Sequence, residues 1–194
     1  MRESRINRKT KETDIQMHLN IDGKGRAIID AKVGFMNHML DLACKHGLMD
    51  MDLRCEGDLD VDNHHTVEDI GIVLGTAVKE ALGDKAGITR YATVFTPMDE
   101  ALSMVSIDIS GRPYLHFQVE YNSPFVGSFE TELVEEFFRA FVNHGQITLH
   151  ITLQYGKNNH HIIESIFKGF GRALCHAATV QDRIDGVLST KGIL

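Results

Sequence analysis

The chain has 194 residues, enough for one domain or for two small halves sharing a core. Apolar residues make up 43% and charged residues 24%, and no apolar run approaches the roughly 18 residues of a membrane-spanning helix. A formal charge of −7 argues against a general nucleic-acid surface. The polar, basic stretch Met1 to Lys11 has no apolar core of a secretory signal. Cys44, Cys55 and Cys175 are widely spaced without a CxxC, which fits free thiols in a reducing cytoplasm.

The first residues, with Arg2, Arg5, Arg8, Lys9 and Lys11, read as a solvated segment leading into a first strand. That strand alternates Ile15, Met17, Leu19 and Ile21 with polar residues and ends at the turn signal Asp22-Gly23. Ala27 to Val33 reads as a second strand. Phe35, Met36, Met39, Leu40 and Ala43 follow helical spacing, with Gly47 as the stop. Met49, Met51, Leu53 and Cys55 alternate with acidic and basic residues as a third strand. Val67, Ile70, Leu74, Ala77, Val78 and Ala81 then form a helix ended by Gly83.

Strands follow near Thr93–Phe95, Ala101–Ile109 and Tyr114–Val119. A helix carries Leu133, Val134, Phe137, Phe138 and Phe141, a strand alternates Ile147, Leu149, Ile151 and Leu153, and a final helix runs from about Ile162 to Ala178. Thr179 to Leu194 has no clear period.

The chain repeats itself. A shift of 96 lays His64, His65, Glu68, Gly75 and Ala77 on His160, His161, Glu164, Gly171 and Ala173. A shift of 86 lays Ile21-Asp22 and Gly25-Arg26 on Ile107-Asp108 and Gly111-Arg112. The expectation is an α+β fold: one unit, 1–194, of two pseudo-repeats, 1–88 and 89–194. Each is a mostly antiparallel sheet with helices on one face.

Eleven histidines are unusual, and they cluster. His64-His65-Thr66-Val67-Glu68 and His160-His161-Ile162-Ile163-Glu164 each open the last helix of a half. On a helix, residues i and i+4 share a face, so His64 pairs with Glu68 and His160 with Glu164. The adjacent His65 and His161 point about 100° away and are free to reach a second ion. Imidazole with carboxylate suits Zn, Mn, Fe or Ni, and mixed N/O ligands favour a six-coordinate ion such as Mn(II). His38, opening a helix, and His150, on the polar face of its strand, are further ligand candidates. His46 stands at a helix end, where it meets the dipole. His18, His116, His144 and His176 carry no motif and read as structural.

Asn37-His38-Met39-Leu40-Asp41 with Lys45-His46-Gly47 resembles a segment of the imidazoleglycerol-phosphate dehydratases. So do Asp62-Asn63-His64-His65-Thr66-Val67-Glu68-Asp69-Ile70-Gly71, Pro97-Met98-Asp99-Glu100-Ala101 and Gly111-Arg112-Pro113. Thr148-Leu149-His150, Gly156-Lys157-Asn158-Asn159-His160-His161-Ile162-Ile163-Glu164 and Ser189-Thr190-Lys191-Gly192 extend the match over the chain.

The resemblance implies ribosomal protein S5 domain 2-like halves and a 24-mer with active sites between subunits. It implies a hydro-lyase of histidine biosynthesis that dehydrates D-erythro-imidazole-glycerol phosphate to imidazole acetol phosphate through an imidazolate bridged by two Mn(II). By matching position the ligands are His38, His64, His65, His150, His160, His161, Glu68 and Glu164. Glu12 matches the acid/base glutamate, and His46 and Asp99 match residues near the glycerol portion. Arg90, Arg112, Lys168, Ser189 and Lys191 match the phosphate contacts; on the helix, Lys168 lies one turn beyond Glu164.

The sequence departs from the family at Asn37, where an aspartate is usual, and at Leu42, where many members have glutamine. The first would weaken a carboxylate–histidine contact and the second removes a polar substrate contact. Gln181–Leu188 is shorter than usual. Two rival readings of the motifs are a dinuclear hydrolase, in which metals activate water, and a metal-dependent assembly module without catalysis.

Overall fold

The computed structural model describes residues 2–194. The first half runs β1 (Glu3–Lys9), β2 (Thr13–Asn20), β3 (Ala27–Asp30), α1 (Gly34–Gly47), β4 (Asp50–Gly57) and α2 (His64–Leu82). The second runs β5 (Tyr91–Met98), β6 (Ala101–Asp108), β7 (Tyr114–Gln118), the short β8 (Phe125–Val126) and β9 (Phe129–Glu130), α3 (Leu133–Gly145), β10 (Thr148–Tyr155) and α4 (Asn159–Ala178).

Both halves build the same sheet, ordered β1-β2-β4-β3 and β5-β6-β10-β7. Pairing is antiparallel except at one edge, where β3 lies parallel to β4 and β7 to β10. A parallel neighbour needs a crossover, and α1 and α3 supply it. Alternation sets the faces: Ile15, Met17 and Leu19 of β2 and Leu149 and Ile151 of β10 are buried under helices, with polar residues between them. The helices of the two halves then pack on each other, α1 against α4 and α2 against α3, between the two sheets.

Glycines let those helices meet at the backbone. A Cβ at Gly171 would stand 2.2 Å from the Ala43 carbonyl oxygen, and one at Gly75 would stand 2.4 Å from that of Phe141. The two crossings correspond: each of α1 and α3 ends in a glycine, Gly47 or Gly145, followed by a left-handed residue, Leu48 or Gln146.

Three features differ from the sequence reading. The basic N-terminal stretch is itself strand β1, an edge strand whose Ser4 and Ile6 turn inward while Arg5 and Asn7 face out. The first half therefore has a strand before the Ile15 strand, as the second half does. The short hairpin β8–β9 was also unread. Finally, α4 begins at Asn159, capped by the Asn158 side chain, which accepts from the His160 and His161 amides.

Candidate functional site

All four helices start at one end of the molecule. There the β8–β9 hairpin ties the two halves together: Asn63, before α2, donates to Glu130 at 2.9 Å. Phe129 packs on Phe35, and Phe35 meets the His160 ring edge-on at 5.2 Å.

At the start of α4, His38, His160 and Glu164 bring one ligand atom each to within 4.8 Å of one another. His160 Nε2 lies 3.4 Å and His38 Nε2 3.8 Å from the same oxygen, Oε2 of Glu164. The other oxygen, Oε1, accepts from Lys168 Nζ at 2.6 Å. Burial raises the Glu164 carboxyl, but Lys168, His38 and His160 outweigh it and leave it below the usual glutamate range. A charged carboxylate with two imidazoles on one side is a donor set suited to a transition metal. His46 completes this rim: partial desolvation and the charges of Lys168 and Arg172 press its imidazole below the usual value.

At the start of α2, His64 Nε2 lies 3.8 Å from Glu68 Oε2. The four-residue spacing thus sets the same pair in both halves. His38 has no counterpart here. Matching α1 to α3 through their terminal glycines puts Glu136 at its place, and Glu136 lies 3.9 Å from Arg139.

His65 and His161 turn aside, as their helical position requires. Nδ1 of His65 is 3.0 Å from Asp58, and its Nε2 is 3.9 Å from Glu12. Nδ1 of His161 is 2.7 Å from Glu100, and its Nε2 is 4.0 Å from Asp99. Hydrogen bonds that the rings donate to Asp58 and Glu100 are the main reason both imidazoles are pushed above their ordinary value. The His161 contact, with the Asn158 amide, holds Glu100 down to about 2.

Glu12 sits in the β1–β2 turn. The Thr10 hydroxyl accepts from the Glu12 and Thr13 amides at 3.1 and 3.0 Å. The buried Asp69 of α2 accepts from Thr13 and Arg8 on either side of that turn. Asp99 occupies the β5–β6 turn in the left-handed region, φ 46°.

The phosphate candidates divide. Arg90, Arg112, Ser189 and Lys191 line one cleft of about 750 Å³ with Arg183, a residue the sequence reading did not single out. Lys168 is at the other end, on Glu164. Within the cleft, Arg90 has φ 78° and its guanidinium is held by Asp108 at 2.8 Å and by the Leu188 carbonyl at 2.8 Å. Arg112, Arg183 and Lys191 carry no ion pair among the described residues.

The cleft lies far from His160 and His161 of its own chain, though His150 lines the neighbouring pocket with Tyr91 and Asp108. Arg90 precedes the first residue of β5, while Asp99 follows its last. Eight residues of strand at about 3.3 Å each put some 25 Å between them. Independently, the Arg90 amide bonds the Ala177 carbonyl, and α4 rises about 26 Å from His160 to Ala177 at about 1.5 Å per residue.

His150 is not with the other candidate ligands. It points from β10 to the outer face of the second sheet, where its ring neighbours are Tyr114 at 5.5 Å and His116 at 5.6 Å. Asn37 accepts from the Ala31 amide at 3.0 Å and so fastens the turn into α1; no bond to a histidine is formed there among the described residues. Leu42 packs against the core.

A family model described as imidazoleglycerol-phosphate dehydratase matches residues 31–174. Imidazoleglycerol-phosphate dehydratase of Alkaliphilus metalliredigens is 61% identical over 193 residues, covering 100% of this chain and 99% of that protein. That of Acetivibrio thermocellus is 57% identical with the same coverage. The crystal structure of the Staphylococcus aureus enzyme aligns with a TM-score of 0.84 at 43% identity, over 92% of this chain and 99% of that one. The Pyrococcus furiosus structure aligns with a TM-score of 0.85 at 36% identity, over 97% and 100%. With helix-borne histidine–carboxylate pairs repeated in both halves, and likeness along its full length, the chain belongs to the imidazoleglycerol-phosphate dehydratase family and is a hydro-lyase.

Proposed function

We propose that the protein dehydrates D-erythro-imidazole-glycerol phosphate to imidazole acetol phosphate in histidine biosynthesis, in the cytoplasm, with two Mn(II) per active site. The observation that carries this reading is the convergence of His38, His160 and Glu164, with a matching His64–Glu68 pair in the other half. Full-length likeness to dehydratases named for this substrate supports the reaction. The proposed ligands are His38, His64, His65, Glu68, His150, His160, His161 and Glu164. When bound, the metals would supply Lewis-acid polarisation of the substrate's imidazole, the only electron sink next to a carbon that lacks a carbonyl.

The chain's own groups would do the rest. Glu12, exposed in its turn and facing His65 Nε2, would take and return protons at the glycerol carbons. Asp99 and His46 would orient the hydroxyl groups. Arg112, Ser189 and Lys191, with Arg90, would bind phosphate in the cleft, and Lys168 would reach it from the histidine end.

Distance supports a shared active site. A ring, three carbons and a phosphate span on the order of 10 Å at about 1.5 Å per bond. That cannot bridge some 25 Å between a chain's cleft and its own His160 and His161. We therefore place each active site between chains, with the single unit of pseudo-repeats 1–88 and 89–194 assembling as a 24-mer. His150, on an outer sheet face, would serve a neighbour's site.

Purified protein with Mn(II) and substrate tests this. Mass spectrometry should show loss of one water and light scattering a mass twenty-four times 21.7 kDa. Release of inorganic phosphate instead would favour a hydrolase. Metal-dependent assembly with no turnover would favour an assembly module.

A further inference from the structure

We propose that Asp58 and Glu100 are positioning residues that fix the tautomer of His65 and His161 and so present Nε2 of each ring to a metal. The inference rests on the reading above that these two histidines are ligands.

The geometry is repeated but its parts are not inherited together, so each half is a separate observation. In the first half the carboxylate comes from the loop after β4: Asp58 approaches His65 Nδ1 with both oxygens, at 3.2 and 3.0 Å. In the second half it comes from the β5–β6 turn: Glu100 Oε2 lies 2.7 Å from His161 Nδ1. Different elements, carrying different acids, meet the same ring atom.

An ionised carboxylate can only accept, so in both cases Nδ1 must carry the proton. In the neutral ring Nε2 then keeps its lone pair, on the side of Glu12 in one half and Asp99 in the other. A neutral imidazole in solution can hold its proton on either nitrogen; here the choice is made before any ligand arrives. The hydrogen bond also makes Nε2 a stronger donor.

Both acids are themselves held. Glu100 Oε1 accepts from the Asn158 amide at 2.7 Å and the Lys157 amide at 3.2 Å, which locks the loop that opens α4. The Asp58 amide donates to the Glu12 carbonyl at 3.1 Å, which joins the His65 support to the turn carrying Glu12. Neither acid has a lysine or arginine partner among the described residues, so each carboxylate serves its histidine rather than a surface ion pair.

The test compares Asp58→Asn, Glu100→Gln and the double variant with the parent, as full-length protein. Manganese affinity, measured by calorimetry, should fall about 10- to 100-fold for each single change. Histidine ¹⁵N spectra of the metal-free parent should show His65 and His161 protonated at Nδ1, and the matching variant should lose that signature for its own ring only. Asp58→Glu should restore part of the affinity, which a variant that merely unfolds would not allow. Unchanged affinity, or a neutral ring in the parent that carries its proton on Nε2, overturns the inference. His65→Ala and His161→Ala separate the two failures. If these keep full manganese content, the ligand reading is wrong; if they lose it while the carboxylate variants do not, only the positioning role is wrong.

Discussion

Gly171→Ala should destabilise the protein, although a glycine-to-alanine change inside a helix ordinarily helps. Alanine recovers about 1 kcal/mol of helix propensity. Against that, its Cβ would stand 2.2 Å from the Ala43 carbonyl oxygen and 3.0 Å from the Gly47 amide nitrogen. Both atoms are backbone of α1, so no side chain can swing away; α1 and α4 must part by roughly an ångström. Overpacking of this kind costs about 1–3 kcal/mol, and an all-backbone clash belongs at the upper end. The net expectation is a loss of about 2 kcal/mol, or a fall of about 4–8 °C in Tm for a chain of this length. Because α1 carries His38 and α4 carries His160 and Glu164, the same separation should weaken metal binding at that cluster. Thermal unfolding of metal-free protein at matched concentration, followed by circular dichroism, reads the first effect; calorimetric titration with Mn(II) reads the second. Gly34→Ala is the control, since a Cβ there meets nothing within 4 Å, and it should leave Tm unchanged or higher. A Gly171→Ala protein melting at or above the parent would refute the reasoning from backbone contact.

Glu12→Gln should keep full metal content and lose about 10²- to 10⁴-fold in kcat, the usual range for an acid/base group; near-normal turnover would remove it from the chemistry. Burial pushes the thiols of Cys44 and Cys55 up to about 12. At pH 8 their thiolate fraction is then about 10⁻⁴, so a thiol reagent should label at most Cys175 in the native protein and all three cysteines after unfolding. Fast labelling of Cys44 would contradict the packing of α1. The Arg2 side chain is the main reason Asp22 titrates below its ordinary range. A lowered folded value means stability that is present above the unfolded pKa of 3.8 and lost as pH falls through the folded one. With the Asp22 side chain 39% exposed, Asp22→Asn should cost only about 0.5 kcal/mol at pH 7, and the gap to the parent should close as pH falls through the lowered folded value. A gap that persists there would mean packing rather than charge.

What the sequence made legible follows the range of each signal. Helix and strand periods are local, so Ile15, Met17 and Leu19 or Phe137, Phe138 and Phe141 marked their elements and their buried faces directly. The i, i+4 pairs were equally local, and both form. Strand β1 is hidden because an edge strand needs little apolar content: Ile6, the small Ser4 and Arg8, which pairs with buried Asp69, turn inward, and five basic residues between Arg2 and Lys11 look like a solvated segment. The duplication holds the missing signal, since alternation predicts three strands before the first helix of the second half and two before that of the first. Asp58 and Glu100 were beyond reach for another reason. An acid that meets a histidine 61 residues away, as Glu100 meets His161, leaves no periodic trace. The same holds for Arg183, which joins the cleft through a tail without regular structure.

The duplication also explains which parts of the site repeat. A helix that must place one imidazole beside a carboxylate, and a second imidazole a hundred degrees around, has few solutions, and both α2 and α4 keep that solution unchanged. The backbone crossing that seats those helices is kept too, through Gly75 and Gly171. Loops are under no such restriction, so the acid supporting the second histidine arrives as Asp58 from one loop and Glu100 from another. His38 and Glu136 have diverged at matched places for the same reason: a helix start tolerates either residue without cost to the core. Among the described residues, three ligands from one chain therefore gather only at the start of α4, where His38 of α1 crosses from the first half to join His160 and Glu164. The start of α2, with His64 and Glu68, offers an ion fewer donors than the start of α4 does, and under the proposed shared site another chain would supply the rest, as it would the cationic cleft that lies away from the histidine pairs. Two independent shortfalls, one in ligand number and one in distance, have a common remedy in assembly.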